Sequence, residues 1–206
     1  MHQFQKYFKE LPLSFFSRDT VTVARELLGK ILVIGNCSGR IVETEAYGSD
    51  PASHAFRKTE RSALMFDTFG QVYVYLIYGM YHCINFTTEI SGTPGAVLIR
   101  ALEPLEGISM MQKRRDIKKS RRNTKKNKIE SKSQNNRNLC SGPGKLCEAL
   151  AITKKLNGKQ LGKEVKIYDD YFQVKEITAS SRIGIKDALD LQWRFYIKGN
   201  EYVSRK

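Results

Sequence analysis

Apolar residues near the start of the chain recur at the spacing of an α-helix. The positions that share this face are Val21, Ala24, Leu27 and Leu28. Residues 17–20 supply hydroxyl and carboxylate side chains that can cap the start of a helix, and Gly29 is suited to end it. The pattern therefore predicts a short helix with one buried face.

Most of the other apolar runs are short and predict strands. The predicted strands span residues 30–35, 40–47, 72–78, 81–88, 96–101, 164–171 and 193–198. Two further helices are predicted, over residues 103–113 and 145–151. The strands cluster in the middle of the chain and do not alternate regularly with helices. This favours an α+β fold, a single domain over residues 1–206 with a curved, mainly antiparallel β-sheet and surrounding helices.

Turn residues predict two β-hairpins within this sheet. Residues 36–39 have turn chemistry and join the first two strands. Gly79 joins the third and fourth strands tightly, because glycine accepts a positive φ that other residues adopt at a cost. Tyr78 would then stand at the tip of a protruding hairpin.

Charge adds a preference for a polyanionic partner. The chain has 35 Lys and Arg against 21 Asp and Glu, a net charge of +14, which favours nucleic acid or an anionic membrane surface. Residues 113–137 hold twelve Lys or Arg and only two acidic residues, with few apolar side chains. We expect a mobile basic loop over about residues 116–137, either an arm that binds phosphates or a solvated tract of no specific role.

Several classes of protein are disfavoured by the same composition. The longest apolar stretch, residues 72–86, is shorter than the roughly 20 residues of a membrane helix and is interrupted by polar positions. The N-terminus lacks the pattern of a secretory signal, so we expect a cytoplasmic protein without a membrane association. Four cysteines without a CxxC pair and three histidines predict neither a metal site nor a cofactor.

Candidate chemistry lies on the second predicted strand. Strand alternation places Glu43, Glu45 and Tyr47 on one face. A carboxylate beside an aromatic ring suits hydrolysis of a nucleoside bond, because the acid can deprotonate water while the ring stacks on the base. An exposed strand glutamate without a role is the other reading. The four tyrosines of residues 73–81 could likewise stack on bases or simply fill a sheet face.

Five blocks of unusual composition then identify a resemblance. They are RIVETEAY (40–47), SHAFR (53–57), YVYLIYGMYHCIN (73–85), VLIRALEPLEG (97–107) and LCSGPGKLCEALAI (139–152). In this order they closely resemble the alkyladenine (3-methyladenine) DNA glycosylase family, over a similarity that runs from about residue 11 to residue 204. The segment between residues 113 and 137 resembles the family only loosely.

The resemblance implies roles for individual residues. Glu45 would activate the water, held by the Arg100 side chain and the Ile183 main-chain carbonyl. The base pocket would contain Tyr47, His54, Tyr75, Asn85 and Leu98, with Asn85 excluding normal guanine. Tyr78 would intercalate into DNA, and the residues contacting the DNA backbone would be Arg57 and Lys145. From the residues alone, His54 could instead bond to backbone in a loop, and Arg100 could pair with Glu103.

The resemblance implies a monofunctional, monomeric glycosylase of base-excision repair acting on double-stranded DNA that contains damaged purines. The expected substrates are 3-methyladenine, hypoxanthine, ethenoadenine and 7-methylguanine, flipped from the duplex and released by a water that Glu45 activates. A non-enzymatic, RNA-associated nucleic-acid-binding protein is the alternative on the same scaffold. Such a binder would have no need of an acid facing the pocket.

Overall fold

The computed structural model of the chain describes residues 8–119 and 136–205, with the backbone alone for residues 116–119. Its strands are β1 (Lys9–Glu10), β2 (Ile31–Ile34), β3 (Cys37–Tyr47), β4 (Val72–Ile77), β5 (Tyr81–Thr87), β6 (Ala96–Glu106), β7 (Val165–Asp169), β8 (Ile177–Ser180) and β9 (Arg194–Ile197). Its helices are α1 (Thr20–Glu26), α2 (Ala63–Asp67), α3 (Ile108–Lys119) and α4 (Pro143–Ala149). Short 3-10 helices lie at Leu13–Phe15, His54–Phe56 and Lys154–Leu156.

The strands of the described residues form one curled antiparallel sheet that branches at β3. Its order is β1-β7-β2-β3-β6-β5-β4, and β9 pairs with β3 and with β8. All of these pairings are antiparallel. The expected α+β fold with a curved, mainly antiparallel sheet is confirmed. The branch matters for function because β3 meets β6 on one side and β9 on the other.

Helices α1, α3 and α4 pack against the sheet and close the main core. Its largest fully buried side chains include Phe16, Leu27, Leu32, Ile41, Ile84, Phe86, Ile99, Leu102, Met111 and Leu146. Helix α1 begins where predicted, since the Asp19 carboxylate caps it by accepting from the Thr22 backbone N–H at 2.7 Å. Removing this much apolar surface from water provides the main driving force for the fold.

The junction between β6 and α3 and the position of the first turn differ from the prediction, and strand pairing explains both. The helix predicted over residues 103–113 starts only at Ile108, because β6 continues to Glu106 in pairing with β3. Gly107, with a φ of 72°, makes the break between strand and helix. The first hairpin turns at residues 35–36 rather than 36–39, since Ile34 pairs with Cys37. Long-range pairing here overrides the local helical pattern.

The predicted basic loop is only partly covered by the structure. Helix α3 extends to Lys119 and so includes the first residues of the predicted segment. The prediction for residues 120–135 lies outside the described residues. In the part of the chain that is described, the helices are too short or too polar to cross a membrane.

Candidate active site

Strand β3 carries the central carboxylate at the point where three strands meet. Glu45 pairs with Leu98 of β6 on one side and with Arg194 of β9 on the other. The Glu45 side chain is 0% exposed. A carboxylate is costly to bury without partners, so its hydrogen bonds decide whether this position is stable.

Three donors hold the Glu45 carboxylate. The Tyr47 hydroxyl donates to Oε2 at 2.9 Å, and Arg100 Nη1 donates to the same oxygen at 3.0 Å. The Ile183 backbone N–H donates to Oε1 at 2.6 Å. The structure thus brings Glu45 together with three residues that the sequence had assigned to the site. It also shows that Ile183 reaches Glu45 through its N–H, whereas the predicted role used its carbonyl oxygen.

Burial raises the pKa of Glu45, and this effect outweighs the opposing influence of Arg100, the Ile183 N–H and the Tyr47 hydroxyl. The pKa of Tyr47 is also raised, mainly by burial and secondly by the nearby charge of Glu45. Its hydroxyl therefore stays protonated and able to donate. The result is a carboxyl that is more basic than an ordinary glutamate and fixed in orientation. A raised pKa and a fixed orientation are properties that suit a carboxylate to accepting a proton.

Arg100 is shared between two carboxylates. Its Nε donates to Glu43 Oε1 at 3.0 Å while its Nη1 serves Glu45. It is not paired with Glu103, whose carboxylate accepts from Asn200 at 3.3 Å. The strand-edge alternative for Arg100 is therefore wrong.

A cavity of about 210 Å³ opens directly in front of this network. Its lining residues include Tyr47, His54, Arg61, Met65, Tyr73, Tyr75, Cys83, Asn85, Leu98, Arg100, Pro143 and Ile183. Glu45 is not among them, but all three of its donors are. The cavity therefore has aromatic and apolar walls with the buried carboxylate behind one side.

His54 belongs to the aromatic wall. Its Nδ1 lies 2.9 Å from the Tyr73 hydroxyl, and its ring meets the Tyr75 ring edge-on with centroids 4.6 Å apart. The pKa of His54 is lowered, mainly by burial and secondly by the positive charge of Arg61. The ring is therefore neutral at neutral pH. Its hydrogen-bond partner is a side chain rather than backbone, which contradicts the alternative of a loop histidine bonded to backbone.

Asn85 is buried in the cavity wall on β5. Its side-chain Nδ2 donates to the Tyr73 carbonyl at 3.0 Å, which fixes the orientation of the amide. Its neighbours across the strands are Tyr73 of β4 and Leu98 of β6. The amide therefore satisfies a backbone group and faces the cavity at the same time.

Sequence reasoning missed a second buried ion pair that supports the site. Arg182 donates to both oxygens of Asp50, at 2.6 and 3.0 Å, and to the Ala46 carbonyl at 3.0 Å. Its guanidinium also lies over the Tyr47 ring, 4.7 Å from the centroid. Arg182 thereby links the segment that contains Ile183 to β3, the strand that contains Glu45. Its partners are more than 130 positions away in sequence, so no local pattern could indicate this pairing.

The β4–β5 hairpin presents an exposed aromatic at its tip. Tyr78 is 77% exposed and has a φ of 53°, and the adjacent Gly79 has a φ of 68°. Two successive positive φ values make a tight turn suited to the twist of a hairpin. A tyrosine in this conformation is uncommon, and such outliers cluster at functional sites. The predicted protruding tip is confirmed.

The two predicted contacts to the DNA backbone lie at the surface. Lys145 is in the first turn of α4, with its Nζ 3.4 Å from both Asn138 Oδ1 and Ser141 Oγ. Arg57 is exposed, with its guanidinium 5.9 Å from the centre of the Phe56 ring. Both side chains are accessible, and their contact with phosphates stays a prediction.

The four cysteines are all buried and unpaired. Within residues 8–119 and 136–205, no group of three or more His, Cys, Asp or Glu side chains is arranged to hold a metal ion. Burial raises the pKa of Cys83, in the cavity wall, to about 11. This thiol is therefore protonated at neutral pH and behaves as a small apolar side chain.

Comparison with known proteins places the chain in a family. A profile of the methylpurine-DNA glycosylase family matches residues 14–201. A Clostridium novyi protein named "Putative 3-methyladenine DNA glycosylase" is 47% identical over 96% of this chain and 100% of its own length. Proteins of the same name from Clostridium perfringens and Methanoculleus marisnigri are 46% and 43% identical, over 93% and 95% of this chain and 97% and 99% of their own lengths.

The family decides between the two functional hypotheses, since its members are hydrolases rather than passive binders of nucleic acid. The chain belongs to the methylpurine-DNA glycosylase family, and it is a DNA-repair enzyme that hydrolyses N-glycosyl bonds.

Proposed function

We propose that this enzyme is a monofunctional, monomeric glycosylase that flips alkylated or deaminated purines out of duplex DNA and releases them with a water that Glu45 activates. The observation that carries the proposal is the Glu45 carboxylate, buried behind an aromatic cavity and held by three donors from the cavity wall. The expected substrates are 3-methyladenine, hypoxanthine, ethenoadenine and 7-methylguanine.

The cavity would hold the flipped purine between aromatic faces. Tyr47, His54 and Tyr75 supply flat surfaces that accept several purines by stacking. The exposed Tyr78 would enter the stack that the base vacates, which keeps the nucleotide from returning. Arg57 and Lys145 would hold the DNA backbone, because both present a cation at the surface.

Glu45 would act as general base in the hydrolysis. Among the described residues, Oε2 accepts two hydrogen bonds, whereas Oε1 accepts one, from Ile183, which leaves a lone pair for water. The water oxygen attacks C1′ opposite the departing purine, its proton passes to Glu45, and the C1′–N bond electrons leave with the base. A cationic purine such as 3-methyladenine departs neutral and needs no acid.

Strand cleavage through a Schiff base is not part of this mechanism. The described residues that line the cavity include no lysine, and arginine does not form such an intermediate under these conditions. The product is therefore an intact strand with an abasic site.

Asn85 would set selectivity against normal guanine. Guanine differs from hypoxanthine by its exocyclic 2-amino group, which stacking alone cannot exclude. The Asn85 amide, fixed by its bond to the Tyr73 carbonyl, would provide the polar and steric obstacle.

The test uses duplexes that each carry one lesion, followed by alkaline cleavage of abasic sites. Wild type should release the base, and Glu45→Gln should release it at least a hundredfold more slowly while binding lesion DNA equally well or slightly tighter. The matched control is Glu103→Gln, which makes the same chemical change outside the site. Single-turnover rates of Glu45→Gln within about tenfold of wild type would sink the general-base role.

A further inference from the structure

A second buried carboxylate next to the site has no part in the proposed reaction. Glu43 is 0% exposed and does not line the cavity. Its carboxylate accepts from Arg100 Nε at 3.0 Å and from Arg194 Nε at 2.8 Å. It also accepts from the backbone N–H and the hydroxyl of Ser204, at 2.7 and 2.9 Å. Four donors, two of them cationic, satisfy a group that would otherwise be very costly to bury.

Arg100 connects this carboxylate to the general base. One edge of its guanidinium donates to Glu43 and another donates to Glu45. The planar guanidinium has a fixed geometry, so whatever holds one edge also orients the other. Glu43, anchored by Arg194 and Ser204, therefore determines how Arg100 presents itself to Glu45.

Glu43 also balances charge around Glu45. Glu43 and Glu45 together carry two negative charges, and Arg100 and Arg194 together carry two positive charges. The titratable and charged side chains around Glu45 are Tyr47 of β3, Tyr75 of β4, Cys83 of β5 and Arg100 of β6. Arg194 of β9 is the backbone neighbour of Glu45 and donates to Glu43, and Arg182 lies over the Tyr47 ring. Arg100 is the cation in direct contact with Glu45, and Glu43 is the carboxylate that competes for it.

We propose that Glu43 is a positioning residue for base release: it holds one edge of the Arg100 guanidinium and offsets part of its charge, so that Glu45 stays basic enough to accept a proton from water. This inference rests on the proposed role of Glu45 as general base. It assigns the C-terminal segment around Ser204 to the same task, since that segment supplies two of the four donors to Glu43.

Two neutral substitutions should move the pH dependence in opposite directions. In Glu43→Gln the charge of Arg100 acts on Glu45 without offset, so the pKa of Glu45 falls and the residue becomes a weaker base. In Arg194→Gln a cation is lost and the charge of Glu43 is less compensated, so the pKa of Glu45 rises. If Glu43 were only structural, both substitutions would lower stability, and the pKa of Glu45 would not move in opposite directions in the two variants.

The experiment measures single-turnover release of 3-methyladenine from methylated duplex DNA as a function of pH. This base leaves without an acid, so the acidic limb of the rate–pH profile reports the ionisation of Glu45. We expect Glu43→Gln to move that limb down by about one pH unit and to lower the plateau rate, and Arg194→Gln to move it up by a similar amount. Glu43→Asp keeps the charge and should keep the limb near its wild-type position. Glu103→Gln is the matched control and should leave the profile unchanged.

An acidic limb of Glu43→Gln that coincides with the wild-type limb or lies above it would overturn the proposal. If Glu43→Gln does not fold, Arg194→Gln decides: an upward shift supports the proposal, and any other position overturns it. Failure of the proposed function has a separate signature, because wild type would then lack a Glu45-dependent limb and Glu45→Gln would retain its rate. A Glu45-dependent wild type with an unmoved Glu43→Gln limb contradicts only the role of Glu43.

Discussion

Removing the Tyr47 hydroxyl tests how the environment of Glu45 sets its basicity. The substitution Tyr47→Phe keeps the aromatic ring that faces the cavity and its position beneath Arg182. It deletes one donor to the ionised Glu45 carboxylate, the bond of 2.9 Å to Oε2. The pKa of Glu45 is already raised by burial, and losing this donor removes one of the influences that lower it. The pKa should therefore rise further.

The magnitude follows from the kind of bond that is lost. A hydrogen bond to a charged group contributes about 1.5 to 3 kcal/mol, and 1.36 kcal/mol corresponds to one pKa unit. The protonated carboxyl also keeps some interaction with its surroundings, so we expect a rise of about 1 unit and at most about 2. In the proposed mechanism Glu45 must be ionised to accept the proton of water, so the acidic limb of the rate–pH profile should move to higher pH by this amount.

The assay is single-turnover release of 3-methyladenine between acidic and neutral pH. On the acidic limb Tyr47→Phe should be about tenfold slower than wild type, and on the plateau the difference should shrink. Tyr75→Phe is the matched control, since it alters the same cavity without removing a donor from Glu45, and its limb should keep the wild-type position. A Tyr47→Phe limb at or below that of wild type would refute this account of how the site tunes its base.

Two further predictions concern DNA distortion and substrate choice. Tyr78→Ala should slow excision from duplex DNA, because no side chain then fills the vacated stack. An unchanged rate, with an unchanged fluorescence signal from a flipped base analogue, would argue against intercalation of Tyr78. Asn85→Ser should raise excision of undamaged guanine relative to hypoxanthine, measured most sensitively in mismatches. If that ratio stays flat while the melting temperature falls, the bond from Asn85 to Tyr73 is merely structural, contributing about 1 to 3 kcal/mol.

The sequence predicted well those features that depend on local spacing. Alternation along β3 brought Glu45 and Tyr47 to one face, and their side chains are hydrogen-bonded. Gly79 indicated the tight turn that leaves Tyr78 exposed. In each case the residues that matter are neighbours in the chain, so a strand period of two or a positive φ is enough to position them.

Features that depend on distant partners could not be predicted in the same way. β3 has register shifts on both sides of Glu43, and these irregularities help to place that carboxylate against Arg194 and Ser204, 151 and 161 positions away. Glu43 was recognised only as a member of the shared face. The end of β6 was mistaken for helix for the same reason, because pairing with the distant β3 decides its conformation.

The Ile183 N–H that holds Glu45 is contributed by a residue 138 positions later in the chain. A ribosome-bound chain that has emerged only as far as β6 already contains Glu45, Tyr47 and Arg100, yet it lacks that donor and the strand β9 that covers the carboxylate. Contacts of such long sequence separation form late, since their loop-closure entropy must be overcome first. The Glu45 carboxylate can therefore gain this donor only after residue 183 has been synthesised, and a fragment that ends before that residue lacks the assembled centre of the proposed reaction.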